Sequence, residues 1–217
     1  MARDAKKYFL RITSFIRSLC EIALTHTSMT STQIIIGITG EKGSGKGTAA
    51  HYIMEKYGAQ AFRFSKILDD VLARLYLLNA RENQIKLALS FRANFGDDIL
   101  ARVLLQDATK SDHELMVIEG IRYWDELNIL KQHPFFYLIS ITATPEVRHE
   151  RCKNRGEKAG EKDQTFEQFM EEEKKPTELM IRDIAKTSNF KLDNNRDFEG
   201  LDYQIDVIMK KIISKGS

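Results

Sequence analysis

The chain has 217 residues, of which 42% are apolar, and its formal net charge is +2. This length suits one ordinary domain with a full hydrophobic core, and the small charge argues against a long nucleic acid as a partner. No apolar run reaches the roughly 20 residues that a membrane span needs. The two cysteines, Cys20 and Cys152, form no CxxC pair, which predicts a reducing, cytoplasmic compartment without structural zinc.

The first 28 residues differ from the rest of the chain. They carry five basic residues against two acidic ones, and their larger apolar residues recur near one helical face. Three hypotheses compete for this segment: a helix that docks on the domain or on an oligomer partner, a basic amphipathic targeting segment, and an upstream extension of a chain that starts at Met29. We favour the extension, which leaves residues 29–217 as the functional domain.

After Met29 the pattern alternates between strands and helices. Short apolar runs predict strands at residues 33–39, 61–65, 115–120, 136–142 and 190–192. Helical spacing predicts helices at 46–57, from the second strand to about 78, and at 81–95, 97–110, 125–132, 145–155, 166–175, 177–187 and 203–214. Strands separated by helices throughout predict a parallel sheet in an α/β fold.

A glycine-rich motif follows the first predicted strand, where residues 40–48 read Gly-Glu-Lys-Gly-Ser-Gly-Lys-Gly-Thr. Glycines let the backbone bend around a polyphosphate so that its N–H groups point inward, and the next helix presents its N-terminus to the anion. Lys46 can then reach the terminal phosphates, and the Thr48 hydroxyl can bind the metal. The motif therefore predicts a nucleoside triphosphate site formed by Gly40, Glu41, Lys42, Gly43, Ser44, Gly45, Lys46, Gly47 and Thr48.

Other polar residues follow the second and third strands, where ligands gather in open α/β sheets. Glu119 ends the third strand and is placed to hold Mg²⁺ or its water shell; the alternative is a solvated acid. Arg122 suits bidentate binding of an acceptor phosphate, and the alternative is a surface salt bridge. Ser65 and Lys66 end the second strand, and Arg92 lies in the helical insert, so we count all three as candidate acceptor ligands.

A third group consists of arginines at positions 148, 151 and 155. This spacing predicts that Arg148, Arg151 and Arg155 share one helix face, which leads into a charged loop at 156–164. Positioned arginines neutralise a transferring phosphoryl group and so speed its transfer. A solvated basic face paired with neighbouring glutamates is the alternative.

These motifs together resemble the nucleoside monophosphate kinases, which have Gly-Lys-Gly-Thr where other phosphate loops have Gly-Lys-Ser/Thr. The segments Phe62-Arg-Phe-Ser65, Glu119-Gly-Ile-Arg122 and 148–155 resemble that family's acceptor, Mg²⁺ and lid positions, and Asp193-Asn194-Asn195 also resembles family members. The deoxynucleoside monophosphate kinases of phage type and dephospho-CoA-kinase-like proteins are most similar. The resemblance implies a three-layer P-loop fold with a five-stranded parallel sheet, an acceptor lobe at about 66–113 and a lid at about 156–165.

The resemblance also implies a function, which is transfer of the γ-phosphoryl group of MgATP to a nucleoside or deoxynucleoside monophosphate. Asp70 stands where the family often carries an arginine, so acceptor recognition falls to Arg122, Arg92 or Lys66. One alternative is dephospho-CoA kinase-like transfer to a ribose hydroxyl, oriented by Asp69 or Asp70. A second alternative is a non-catalytic nucleotide-binding regulatory protein, with the N-terminal helix available for oligomer formation.

Overall fold

The computed structural model describes residues 33–155, 162–195 and 198–216. The proposed N-terminal extension lies outside these ranges, as do residues 156–161 of the predicted lid, so both remain predictions. All described residues belong to the unit that spans residues 32–217.

A parallel sheet of five strands forms the centre of this unit, in the order β2-β3-β1-β4-β5. Its strands are β1 (Ile34–Thr39), β2 (Gln60–Arg63), β3 (Leu115–Glu119), β4 (Phe136–Thr142) and β5 (Phe190–Asp193). On β1, Ile36 pairs with Val117 on one side and with Tyr137 on the other. The central strands are almost continuously apolar because helices cover both faces of the sheet. The predicted fold class is therefore confirmed.

Helices connect the strands. They are α1 (Lys46–Tyr57), α2 (Phe64–Arg74), α3 (Arg81–Phe95), α4 (Ile99–Thr109), α5 (Trp124–Leu130), α6 (Pro145–Arg155), α7 (Phe166–Glu172), α8 (Pro176–Lys186) and α9 (Phe198–Gly216). The predicted bounds of α1, α3 and α6 coincide with those observed. Two predictions near the second strand were wrong: β2 ends at Arg63, which puts Ser65 in the first turn of α2, and α2 ends at Arg74 before Tyr76 takes a left-handed φ of 58°.

Two hydrophobic clusters hold the layers together. On one face of the sheet, Ile53 of α1 packs in a cluster with Ile205 of α9. On the other face, Leu104, Leu127 and Ile184 bring α4, α5 and α8 into a second cluster. These side chains are 0–1% exposed, and each contributes roughly 1.5–3 kcal/mol on burial. Because all strands are parallel, their carboxyl ends share one edge of the sheet, and this edge carries the candidate site.

None of the helices within the described ranges combines the length and the apolar character needed to cross a membrane.

Candidate active site

The glycine-rich loop between β1 and α1 packs tightly against its surroundings. Gly43 has a φ of +78° and Gly45 a φ of +99°, a region that side-chain-bearing residues rarely adopt. A Cβ atom on Gly43 would lie 2.5 Å from the Arg148 carbonyl oxygen, and one on Gly45 would collide with the Asn194 side-chain amide. Glycine is therefore required at both positions by conformation and by space.

The first turn of α1 offers the anion-binding groups that the motif predicts. The leading N–H groups of a helix have no acceptor within the helix, and the helix dipole favours negative charge at this end. Gly47 and Thr48 are exposed there. The Lys46 ammonium crosses the loop, with Nζ 2.7 Å from Gly40 O and 2.7 Å from Glu41 O. This arrangement fits a triphosphate.

Arg148 lies beneath the loop and is only 1% exposed. Its Nη1 and Nη2 donate to the Glu173 carboxylate at 2.9 and 2.8 Å, and its Nε donates to Ala143 O at 3.0 Å. Nη1 also lies 3.2 Å from Lys42 O in the loop. Glu173 therefore supplies a buried counter-charge to Arg148, and the role of Arg148 toward a transferring phosphoryl group stays a prediction. Arg148 supports the loop from below.

The same support includes two residues that the sequence reasoning missed, Arg182 of α8 and its partner Glu173. Glu41 Oε1 accepts a hydrogen bond from Arg182 Nε at 2.5 Å and lies 3.4 Å from Arg148 Nη2. Arg182 Nη2 also donates to Glu173 Oε2. We call Glu41, Arg148, Glu173 and Arg182 the loop-support cluster. In the sequence, only Glu41 indicated such a cluster, because an acidic residue inside a phosphate loop needs a nearby cation.

Asn194, which directly follows β5, joins the loop to β4 and α6 on its other side. Its Nδ2 donates to Ser44 O at 2.8 Å, and its backbone N donates to Thr142 O at 2.8 Å. Arg151 Nη1 in turn donates to Asn194 O at 2.8 Å. Arg151 is thus held beside the loop, whereas Arg155 is exposed at the end of α6 and directly precedes residues that the structure does not describe.

Glu119 is directed toward the first turn of α1. Its Oε2 lies 3.8 Å from a Cβ atom built on Gly47, and its Oε1 accepts a hydrogen bond from Arg63 Nη2 at 3.0 Å. In the described part of the chain, no three His, Cys, Asp or Glu side chains form a metal-binding group. Mg²⁺ usually binds one or two protein oxygens together with substrate phosphates and water, so Glu119 and Thr48 fit such an ion.

The predicted acceptor side is organised around Glu126 in the first turn of α5, and this residue is 3% exposed. Its carboxylate accepts from the backbone N of Arg122 and Tyr123 at 2.9 and 3.2 Å, and from Arg92 Nη2 at 2.9 Å. Arg92 also stacks on the Tyr123 ring, 4.1 Å from its centroid. Burial raises the pKa of Glu126, against the opposing hydrogen bonds and the charge of Arg92. The fold therefore brings Arg92 to the turn that carries Arg122.

Two predicted acceptor ligands lie apart from this turn. Ser65 is exposed in α2, and exposed Lys66 pairs with Asp70 at 2.5 Å. Asp69 accepts a hydrogen bond from Gln84 at 2.6 Å. None of the contacts among the described residues joins Ser65 or Lys66 to Arg122, so the structure adds no support for them as ligands. Lys42, the remaining loop cation, lies 3.4 Å from Glu172 of α7.

Comparisons with known proteins show which family the chain belongs to. The AAA domain family model matches residues 36–175. A UPF0200 protein of Methanocaldococcus jannaschii is 28% identical, with 83% of this chain and 91% of the relative covered. A UPF0200 protein of Sulfurisphaera tokodaii is also 28% identical, with 82% and 97% covered.

Solved structures share the fold at lower identity. The crystal structure of TT1252 from Thermus thermophilus is 18% identical with a TM-score of 0.53, and 82% of this chain and 97% of that chain are covered. A shikimate kinase from Bacteroides thetaiotaomicron is 12% identical with a TM-score of 0.54, with 83% and 98% covered. The chain therefore belongs to the AAA domain family and has the fold of the P-loop NTPase and kinase superfamily.

Proposed function

We propose that the protein is an ATP-dependent kinase that transfers the γ-phosphoryl group to a small phosphorylated metabolite. The observation that carries this proposal is the phosphate loop crossed by Lys46, with the Glu119 carboxylate directed to the same helix turn. Lys46 would contact the β- and γ-phosphates, and Thr48 and Glu119 would hold Mg²⁺ or its water shell. The metal supplies charge neutralisation between the phosphates.

Arg122 is the main support for a phosphorylated acceptor. Its side chain is 44% exposed, and it follows Glu119 at the carboxyl end of β3 by three residues. A guanidinium holds a phosphate through two parallel hydrogen bonds. A nucleoside or deoxynucleoside monophosphate, the acceptor that the family resemblance implies, carries such a group. So does a phosphorylated alcohol of the dephospho-CoA type, which we keep as the second candidate.

Rate acceleration in this proposal comes from positioning and from electrostatics. Arg151, held beside the loop by Asn194, and Arg155 at the end of α6 would neutralise the transferring group. Closure of the lid would exclude water that would otherwise hydrolyse ATP.

An acceptor panel tests the proposal. The full chain is mixed with MgATP and with nucleoside monophosphates, deoxynucleoside monophosphates or dephospho-CoA, and ADP release is followed. Acceptor-dependent ADP release with a phosphorylated product is expected for at least one member. Tight ATP binding without transfer to any member would instead favour the non-catalytic regulatory protein.

Replacing Arg151 with alanine is expected to lower kcat by about 100- to 1,000-fold, as for other donors that act mainly in the transition state. The affinity for ATP should change much less, because the phosphate loop and Lys46 are still in place. Steady-state kinetics and equilibrium ATP binding separate the two effects. Lys153→Ala, which removes an exposed charge from the same helix, is the matched control. An equal loss of affinity and of kcat would assign Arg151 to ground-state binding.

Replacing Arg122 with alanine is expected chiefly to raise the KM for the acceptor, by about 10- to 100-fold, the scale of a lost charged hydrogen bond. The KM for ATP should stay close to that of the parent. Arg122→Lys keeps the charge but not the fork, so we expect partial recovery. An acceptor KM that is unchanged in Arg122→Ala would remove this residue from the acceptor site.

A further inference from the structure

The Glu178 carboxylate, in the first turn of α8, is half-buried, and one of its oxygens lacks the hydrogen-bond donor that a buried oxygen normally has. Its side chain is 16% exposed, and its Oε2 is buried without a hydrogen-bond partner among the described residues. Its Oε1 lies 3.8 Å from Arg122 Nη1, beyond hydrogen-bond distance. A buried oxygen without a donor is costly, so such atoms call for a functional explanation.

The position of Glu178 places it between the two halves of the site. Glu178 and Arg182 are four residues apart on α8 and therefore lie on one face, one turn from each other. Arg182 contacts Glu41 of the phosphate loop, while Glu178 contacts Arg122 on the acceptor side. This face of α8 thus spans from the phosphate loop to the turn that carries Arg122.

The chemistry of a carboxylate at this point distinguishes between acceptors. A negative Glu178 repels an attacking phosphate oxygen, which is itself negative, but it accepts a hydrogen bond from a neutral hydroxyl. The acids after β2 are already engaged, since Asp70 pairs with Lys66 and Asp69 accepts from Gln84. Glu178 is therefore better placed than either to take a proton from an acceptor hydroxyl.

We propose that Glu178 is the acceptor-side base and that the group phosphorylated is a hydroxyl of a small anionic alcohol, whose anionic group binds Arg122. The hydroxyl oxygen forms the new bond to the γ-phosphorus while the bond from that phosphorus to the β,γ-bridging oxygen breaks. ADP leaves with the electron pair, and the hydroxyl proton passes to the Glu178 carboxylate and then to water. This inference rests on the proposed ATP-dependent kinase activity.

Glu178→Gln tests the inference in the full chain, with MgATP and two sets of acceptor compounds. The first set, the hydroxyl acceptors, is dephospho-CoA and shikimate, and the second set, the phosphate acceptors, is AMP, dCMP and UMP. We expect transfer to the hydroxyl acceptors. In Glu178→Gln we expect kcat for this transfer to fall by about 100-fold or more, the scale of general-base catalysis. ATP affinity should be unchanged. Asp183→Asn, an exposed acid on the same helix that pairs with Lys186, is the matched control and should keep the parental kcat.

A binding measurement tests the same geometry without turnover. Trp124, the single tryptophan of the chain, lies two residues from Arg122, so its fluorescence should report the binding of inorganic phosphate there. Glu178→Gln should bind inorganic phosphate several-fold more tightly, because a negative charge about 4 Å from the guanidinium is removed. Unchanged phosphate affinity would contradict the placement of Glu178 beside the anion site.

The outcomes separate the inference from the function on which it rests. Transfer only to AMP, dCMP or UMP, at a rate that Glu178→Gln leaves unchanged, would overturn the inference and leave the kinase proposal standing. Transfer to a hydroxyl acceptor that is insensitive to Glu178→Gln would do the same. If the parent protein transfers phosphate to neither set of acceptors, both the inference and the kinase proposal are overturned.

Discussion

Replacing Lys46 with alanine is expected to reduce phosphoryl transfer by at least about 1,000-fold, the upper range for loss of a single transition-state donor. The Lys46 ammonium crosses the mouth of the phosphate loop, 2.7 Å from the carbonyl oxygens of Gly40 and Glu41. On nucleotide binding it can exchange these oxygens for those of the terminal phosphates, where charge develops during transfer. ADP release with the best acceptor of the panel measures the loss.

The fold of the Lys46→Ala variant should survive, because the Lys46 Nζ hydrogen bonds to Gly40 O and Glu41 O lie within the loop and the Lys46 side chain is not part of either hydrophobic cluster. A melting temperature close to that of the parent would confirm this. Lys86→Ala is the control: Lys86 is 68% exposed on α3, pairs with Glu82 at 2.6 Å, and its loss should leave turnover unchanged. Residual activity within tenfold of the parent would show that the loop does not position the transferred phosphate.

Replacing Arg148 with alanine is expected to lower the free energy of unfolding by roughly 3–5 kcal/mol, the usual effect of removing one partner from a buried ion pair. The change leaves Glu173, whose side chain is 3% exposed, with Arg182 as its remaining cation. It also removes the donor to Ala143 O. Urea unfolding should show a lower midpoint with an unchanged slope. Arg102→Ala removes a 51% exposed arginine that pairs with Asp98 and should cost less than about 1 kcal/mol.

The same variant has a second readout in acid. Burial alone would raise the pKa of Glu173, but hydrogen bonds and charge from Arg148, with a hydrogen bond from Arg182, lower it below its ordinary value. A lowered pKa in the folded state stabilises the fold above the unfolded pKa, and this stabilisation is lost as the pH falls through the folded value. Arg148→Ala should therefore lose less additional stability on acidification than the parent. An equal loss in both proteins would show that Arg148 does not stabilise the ionised form of Glu173.

The phosphate loop and its flanking elements could be predicted because their information is local. An apolar run, a glycine-rich turn and a helical pattern follow one another within residues 34–57, and each constrains the next. The parallel sheet followed from the alternation of such units. The start of α2 was less clear, because Phe64 and Ser65 continue the apolar alternation of β2 and also suit a first helical turn.

The arginines of α6 show what a local pattern lacks. Spacing predicts which side chains share a helix face, but not which of them is covered by another part of the chain. Arg148 is buried by Glu173, which lies 25 residues further along, and Arg151 is bound by Asn194, 43 residues further along. Glu178 could not be recognised for the same reason, since only the packing of α8 against the turn after β3 brings it to Arg122.

The loop-support cluster also determines the electric field that a nucleotide meets. Glu41 and Glu173 are the counter-ions of Arg148 and Arg182, so the net charge of the cluster beneath the loop is close to zero. Attraction for an anion is thereby concentrated at Lys46 and at the N-terminus of α1, where the helix dipole and the N–H groups point toward the anion. We expect a site built in this way to select polyphosphates by the orientation of its donors and not by bulk charge, which agrees with a net charge of only +2 on the whole chain.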